Sequence, residues 1–128
     1  MPNTNTINNH VPSLETCKRM KELGYPQKSL FFWAKYDDGK YAVGYDDMAI
    51  PKDCAAPLAS EILEQLPEAI DSQRQYELFL GKEDNSYFVG YFNAQMNVSG
   101  RFWRQEFSTN ASEAAALMWI FLKQKGLI

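Results

Sequence analysis

DDGKYAVGY at Asp37–Tyr45 and EDNSYFVGY at Glu83–Tyr91 repeat one pattern: an acidic pair, a turn-forming pair, then Tyr-x-Val-Gly-Tyr. Turn residues followed by aromatic and β-branched residues are typical of a β-hairpin, and Asp-Gly is a strong hairpin turn signal. The sequence therefore predicts two hairpins of the same design. We expect these hairpins to organise the fold.

Helix signals precede each hairpin. A first helix is predicted over about residues 13–23, with Ser13 as its N-cap and Gly24 placed to end it. A second helix is predicted from Pro57, a favoured residue in a first helical turn, to about Leu66. Each hairpin would thus belong to an αββ unit, and a duplication of that unit is one explanation of the repeat. Chance similarity between strands rich in Tyr, Val and Gly is the other.

The last helix has the clearest signals in the chain. Asn110 followed by Glu113 is a variant of the capping box, and Gly126 ends the predicted helix Ala111–Lys125. Its side chains are apolar nearly all round, which predicts a helix that is covered on several sides by its own domain or by a partner.

The remaining apolar segments predict strands. Residues 46–56 carry Pro51 and no clear period, and they are interpreted as a loop. The predicted strands are Leu30–Tyr36, Tyr41–Tyr45, Gln75–Lys82, Tyr87–Asn93 and Arg101–Phe107. The element order is then α-ββ-α-βββ-α. This order predicts an α+β fold in which helices pack on a single-layer antiparallel sheet.

Length and composition indicate one globular domain. The chain has 128 residues, of which 45% are hydrophobic and 14% aromatic, and this composition excludes wholesale disorder. Residues 1–10 read as a mobile polar tail, and residues 11–128 as the single α+β domain. A net charge of −3 gives no long-range attraction to nucleic acid or to an anionic membrane. The longest apolar run, Ala114–Leu122, is shorter than the roughly 20 residues that span a bilayer.

Cys17 and Cys54 are the only cysteines of the chain. They stand in unlike contexts, Cys17 on the apolar side of the first helix and Cys54 in the predicted loop. Two isolated cysteines do not form a disulfide framework, so we expect reduced, structural thiols. The polar N-terminus does not resemble a signal peptide, and the expected location is the cytoplasm.

Catalytic constellations are not apparent in the sequence. His10 is the only histidine and lies in the predicted tail, where it has no partner for a nucleophilic triad. The acidic residues Asp37, Asp38, Asp46 and Asp47 are candidates for a Mg²⁺ or Ca²⁺ site, but aspartate is also the residue that turns and strand ends favour. We therefore predict a protein that is not an enzyme and that uses no cofactor and no metal.

The two ends of the domain resemble a family. PSLETCKRMKELGYPQ at Pro12–Gln27 and ALMWIFLKQKGLI at Ala116–Ile128 are similar to the opening and closing segments of small uncharacterised proteins of bacterial phages, prophages and mobile elements. The resemblance covers under a quarter of the chain. It implies a mobile-element origin, but it implies no activity and no site residues.

Two functional hypotheses follow. The first is a non-enzymatic interaction module that binds a protein partner or a second copy of itself as a homodimer, since Trp, Tyr and Arg are enriched at interfaces. The alternative is a single-stranded nucleic-acid-binding module, because a sheet face that carries aromatic and arginine side chains can stack bases and follow phosphates. The candidate interaction surface comprises Arg101, Trp103, Arg104 and Trp119.

Overall fold

A computed structural model describes residues 7–45, 51–70, 76–93 and 102–128. The helices are α1 (Leu14–Glu22), α2 (Ala59–Gln65) and α3 (Ala111–Gln124). The strands are β1 (Phe31–Lys35), β2 (Tyr41–Tyr45), β3 (Cys54–Ala55), β4 (Ala69–Ile70), β5 (Tyr76–Glu83), β6 (Ser86–Phe92) and β7 (Phe102–Ser108). The predicted α+β class is confirmed.

The strands form two antiparallel sheets rather than the single sheet that we predicted. Sheet A has the order β2-β1-β3, and sheet B has the order β4-β5-β6-β7. Each sheet has an edge strand of only two residues, and the first of these, β3, lies within the segment 46–56 that we predicted as a loop. Cys54 and Ala55 pair with the open edge of β1, and Ala69 and Ile70 pair with that of β5. The outer strands are then β2 and β3 in sheet A, and β4 and β7 in sheet B.

The two similar hairpins are also built differently. The second has a two-residue turn, Asp84–Asn85, in which both residues have positive φ, as a type I′ turn requires. The first has a longer loop in which Gly39 carries the positive φ. Equivalent tyrosines then lie in different environments, since Tyr45 is exposed and Tyr91 is fully buried. The similarity in sequence does not produce a pseudo-symmetric sheet.

Two hydrophobic cores join the helices to the sheets. One core packs α1 against sheet A, and the other packs α3 against sheet B together with parts of α1 and α2. The first consists of Val11, Cys17, Trp33, Cys54 and Ala56. The second consists of Met20, Tyr25, Ile62, Leu66, Tyr76, Val89, Tyr91, Ala114, Ala115, Ala116, Met118, Trp119 and Leu122. Contacts therefore run from sheet A to α1, from α1 to α3, and from α3 to sheet B.

The observed helix caps agree in part with the caps that the sequence predicts. The Ser13 hydroxyl accepts a hydrogen bond from the Thr16 amide at 3.3 Å, and Asn110 Oδ1 accepts from the amides of Ser112 and Glu113. The Glu113 carboxylate does not return to its own N-cap. It accepts from the Ser13 amide at 2.8 Å and from the Thr16 hydroxyl at 2.6 Å, and thus links α3 to the start of α1.

The end of the predicted tail contacts the domain. Asn110 Nδ2 donates to the carbonyls of Val11 at 2.6 Å and Asn8 at 3.3 Å, and the Ser112 hydroxyl donates to the carbonyl of His10. Residues 1–6 lie outside the described ranges, and the predicted mobility of the tail stays a prediction. No helix within the described ranges is long and apolar enough to cross a bilayer.

Candidate functional site

Four phenylalanines lie together on one face of sheet B. Val89 and Tyr91 of β6 point into the core that contains α3, so the alternating residues of β6 point to the opposite face. The antiparallel register places side chains of β5 and β7 beside them on that same face. The phenylalanine face consists of Phe79, Phe88, Phe92 and Phe107.

Ring contacts make this face one continuous surface. The rings of Phe79 and Phe88 stack with centroids 5.6 Å apart, and Phe79 also lies 5.7 Å from Phe92. Phe88 lies 5.4 Å from Phe107 on the next strand. Aromatic pairs at such distances are mutually stabilising. Phe79 nevertheless exposes 43% of its surface and Phe107 exposes 51%, so the cluster is open to solvent.

A glycine positions the central ring. Gly81 is the direct partner of Phe88 in the register of β5 and β6, and the Phe88 ring lies across its Cα. A methyl group at position 81 would stand 2.5 Å from Phe88 Cζ, which is closer than atoms can approach. The missing side chain therefore allows Phe88 to lie flat and become buried beneath its exposed neighbours.

Acidic side chains flank the phenylalanine face. Glu77 and Glu83 share the strand parity of Phe79, so they lie on the same side of β5, and both are exposed. Asp84 begins the adjoining turn. The described residues of strands β4 to β7 that point to this side include no lysine or arginine, since Lys82 packs over the Tyr87 ring on the other face. The surface is therefore apolar at its centre and negative along one side.

The sequence did not single out this surface. Phe79 lies within the predicted strand Gln75–Lys82, and the predicted interaction surface contains only tryptophans and arginines. The sequence feature that could have revealed the surface is the turn. A two-residue turn at Asp84–Asn85 determines the pairing of β5 with β6, and this pairing brings Phe79 and Phe88 to the same face of the sheet.

Trp103 and Arg104, which we predicted as surface residues, pack together against α3. The register of β7 shifts between its pairs with Tyr91 and Phe92, and this irregularity leaves Trp103 as an extra residue. Trp103 and Arg104 can then both reach one ring, although successive residues of a regular strand point to opposite faces. The Trp103 ring lies edge-on to Phe121 at 5.7 Å, and Arg104 Cζ lies 4.0 Å from the centroid of Phe121.

These contacts engage Arg104 within the molecule. Its Nε donates to Glu106 Oε2 at 2.9 Å, while its guanidinium stacks on Phe121. Trp103 keeps 37% of its surface exposed at this corner. Arg101 lies outside the described residues.

Trp119 is not a surface residue, contrary to its place in the predicted interaction surface. It exposes 4% of its surface and meets the Tyr25 ring edge-on at 5.0 Å in the core between α1 and α3. The apolar circumference of α3 is covered by its own domain, because the helix packs on α1, α2 and sheet B together.

His10 lies in a cleft between the beginnings of α2 and α3. The cleft has a volume of about 640 Å³, and Ser60, Tyr87, Thr109 and Ser112 contribute hydroxyl groups to its wall. Its lining contains no carboxylate to orient the histidine, which a Ser-His-Asp arrangement requires. The geometry gives no support for catalysis there.

Of the acidic residues considered for a metal, Asp46 and Asp47 lie outside the described residues. Asp38 serves its own turn, where Oδ1 accepts from the Lys40 amide at 2.9 Å. In the described ranges, no three His, Cys, Asp or Glu side chains are grouped closely enough to hold a metal ion.

The two cysteines are neighbours in space. Cys17 of α1 and Cys54 of β3 are both buried in the same small core beneath sheet A, where the Cys17 thiol donates to the Pro12 carbonyl at 3.5 Å. Cys54 lies on β3 and not in the loop that we had predicted. The neighbouring Cys54 thiol and burial raise the pKa of Cys17, whereas the neighbouring Cys17 thiol lowers the pKa of Cys54. Nothing in the sequence pattern indicated this pair. Cys17 lies on α1 and Cys54 lies on β3, and these elements are far apart in the chain.

Comparison with models of protein families gave no match, and neither the curated proteins nor the solved structures gave one. The resemblance of the two ends to phage and mobile-element proteins stays a prediction.

Proposed function

We propose that this chain is a non-enzymatic protein-binding module whose phenylalanine face receives an apolar, positively charged segment of a partner protein. The observation that carries the proposal is the open aromatic cluster of sheet B, in which Phe79 and Phe107 stand exposed over a buried Phe88. A soluble domain rarely leaves a contiguous apolar patch uncovered without a use for it.

The chemistry of the face favours a protein partner. Aromatic side chains are enriched at the centres of protein interfaces, where they contribute a large contact area. The rings of Phe79, Phe88 and Phe107 are held by one another, so little side-chain entropy is lost when a partner covers them.

The charge of the face favours a basic partner over a second copy. Glu77, Glu83 and Asp84 give its β5 side a negative potential, and complementary potentials guide and strengthen association. A second copy would bring like charges together. It would also offer no described basic residue on the same face to pair with them.

The same charges count against nucleic acid at this surface. Phosphate binding depends on free lysine and arginine side chains. Arg104 is already paired with Glu106 and stacked on Phe121, at a corner that lies on the helix side of the sheet. Nucleic-acid binding is the competing hypothesis, and the experiment below distinguishes it.

Two further predictions join this proposal. The thiols of Cys17 and Cys54 are free, which favours a reducing compartment such as the cytoplasm. We also propose a mobile-element origin, which the resemblance of the two ends of the domain implies.

The test uses two fluorescently labelled amphipathic peptides that share an apolar leucine face. One has lysine on its polar face and the other has glutamate. We expect the lysine peptide to bind with micromolar affinity, the glutamate peptide to bind at least about tenfold more weakly, and added salt to reduce the difference. Amide shifts in an NMR titration should concentrate in β5, β6 and β7.

Three results would overturn the proposal. Equal affinity for the two peptides would show that the acidic side chains do not contribute to binding. Salt-sensitive binding of a labelled oligothymidylate in preference to the peptides would favour the nucleic-acid module. A homodimer in analytical ultracentrifugation that Phe107→Ser dissociates would identify a second copy as the occupant of the face.

A further inference from the structure

The thiols of Cys17 and Cys54 are placed to react with each other. Cys17 is the buried cysteine of α1, and Cys54 lies on β3, which packs against that helix. Both side chains are almost completely buried, and they belong to one core of five residues in which the helix contacts β3. A disulfide requires the two sulfurs to approach to about 2.0 Å.

We propose that Cys17 and Cys54 are a redox pair that closes to an intramolecular disulfide when the protein meets a peroxide. The bond would tie α1 to the edge strand of sheet A. The protein would thus have a reduced form with two thiols and an oxidised form with a covalent link between its first helix and its first sheet.

The surroundings assign different roles to the two sulfurs. The neighbouring Cys17 thiol lowers the pKa of Cys54, and Lys21 and Lys18 lower it to a smaller extent, while burial and Asp53 oppose this. Lys21 Nζ donates to the Asp53 carbonyl at 2.6 Å, which holds the ammonium group beside β3. Cys54 is therefore the attacking thiolate.

Cys17 is the resolving thiol. The neighbouring Cys54 thiol, burial and the nearby Glu113 carboxylate raise the pKa of Cys17, so this thiol keeps its proton. Its Sγ also lies 3.5 Å from the Pro12 carbonyl, the acceptor that Trp33 Nε1 uses at 3.0 Å.

The reaction balances with a peroxide as oxidant. The Cys54 thiolate attacks one oxygen of hydrogen peroxide, the O–O bond breaks, and Cys54 becomes a sulfenic acid as hydroxide leaves and takes up a proton. Cys17 then attacks the Cys54 sulfur, loses its proton, and displaces the sulfenic oxygen as water. Two thiols lose two electrons in total, and the peroxide is reduced to two waters.

Access depends on the position of β3. This strand has two residues and forms one edge of sheet A, and it is held by pairs of Phe32 with Ala55 and of Trp33 with Cys54. Short edge elements open more readily than the core of a sheet. A small peroxide reaches Cys54 through such openings, and the larger thiol reagents react more slowly.

The experiment treats the reduced full-length protein with hydrogen peroxide, denatures it, and alkylates it with a maleimide. We expect a monomer whose mass is lower by about 2 Da, no alkylation, and a tryptic peptide that links Cys17 to Cys54. Dithiothreitol should restore two alkylation sites. The link closes a long loop, so the oxidised protein should melt about 10 °C higher than the reduced protein.

Two variants distinguish the roles of the sulfurs. In Cys17→Ala, Cys54 has no resolving thiol and should gain about 16 Da as a sulfenic acid. In Cys54→Ala, Cys17 should remain an unmodified thiol. The proposal is overturned if the folded wild-type protein still accepts two maleimides after peroxide treatment, or if its only disulfides join separate chains.

Discussion

The ring of Phe88 lies across Gly81 on the neighbouring strand, with its Cζ 2.5 Å from where a Cβ of residue 81 would stand. This relationship connects the hairpin to the proposed interface. The glycine is what allows Phe88 to lie flat, and the flat ring is the support on which Phe79 and Phe107 rest.

The substitution Gly81→Ala should destabilise the protein. Alanine in place of glycine in a strand is ordinarily favourable by about 0.5–1 kcal/mol, because the unfolded chain loses freedom. Here the methyl group must displace the Phe88 ring, so we expect the free energy of unfolding to fall by about 1–3 kcal/mol in urea titrations. The substitution should be harmless in a Phe88→Leu background. An equal loss in both backgrounds would show that the ring is not what the methyl group meets.

Trp119→Asp should abolish folding. Trp119 packs edge-on against Tyr25 at 5.0 Å in the core, and even truncation to alanine at such a site removes about 3–5 kcal/mol, a large part of the stability of a domain. Circular dichroism and thermal unfolding measure the effect. Leu127→Asp, at an exposed position beyond α3, is the matched control and should leave the melting temperature almost unchanged. A folded Trp119→Asp variant would contradict the placement of α3 in the core.

Asn110→Asp should be destabilising, although aspartate is as good an N-cap as asparagine. Asn110 Oδ1 caps α3, while its Nδ2 donates at 2.6 Å to the Val11 carbonyl. Aspartate would retain the cap but place an acceptor against that carbonyl, so we expect a loss of about 1–3 kcal/mol. Thermal unfolding of Asn110→Asp and Asn110→Ser would measure this. A stability equal to wild type in both would mean that only the capping oxygen matters.

Stability should decline at alkaline pH. Burial raises the pKa of both Tyr25 and Tyr91 above the ordinary value near 10. Tyrosines in the unfolded chain then ionise first, so the stabilisation is complete below about pH 10 and is lost as the pH rises toward the folded-state pKa values, by up to about 1.4 kcal/mol per pH unit for each tyrosine.

Urea unfolding between about pH 8 and pH 11 would measure that slope. Tyr91→Phe removes the hydrogen bond from Tyr91 Oη to the Pro67 carbonyl, and with it one of the two shifted groups. The variant should be less stable at neutral pH, but its stability should fall less steeply with pH. A slope equal to that of wild type would show that Tyr91 does not contribute.

Local signals in the sequence predicted the helices and the long strands well. Ser13 and Asn110 are N-caps, Gly24 and Gly126 have positive φ beyond their helices, and the predicted bounds differ by one or two residues from the observed ones. These features depend on neighbours in the chain, which a sequence shows directly.

Long-range pairing is what the sequence could not show. Cys54–Ala55 and Ala69–Ile70 are strands of two residues with no period of their own, and only an open edge elsewhere in the fold makes them strands. They form one edge of sheet A and one edge of sheet B. Trp119 was similarly ambiguous, since a helix that is apolar all round suits a core and an interface equally.

The candidate surface was hidden for a related reason. Phe79, Phe88 and Phe107 come from three strands, and they form one surface only through the register of those strands. The register between β5 and β6 follows from a two-residue turn, whereas that between β6 and β7 includes an irregularity at Trp103 that the residue types do not reveal.

The most direct test of the central claim is the affinity of a labelled lysine–leucine amphipathic peptide for the Phe79→Ser, Phe107→Ser double variant, measured by fluorescence anisotropy. Phe79 and Phe107 are only about half buried, so the variant should keep its fold with a modestly lower melting temperature. Leu30→Ser, an exposed apolar residue next to sheet A, is the matched control. We predict that the double variant binds at least about tenfold more weakly than wild type and that the control binds as wild type does. A folded double variant with wild-type affinity would contradict the account.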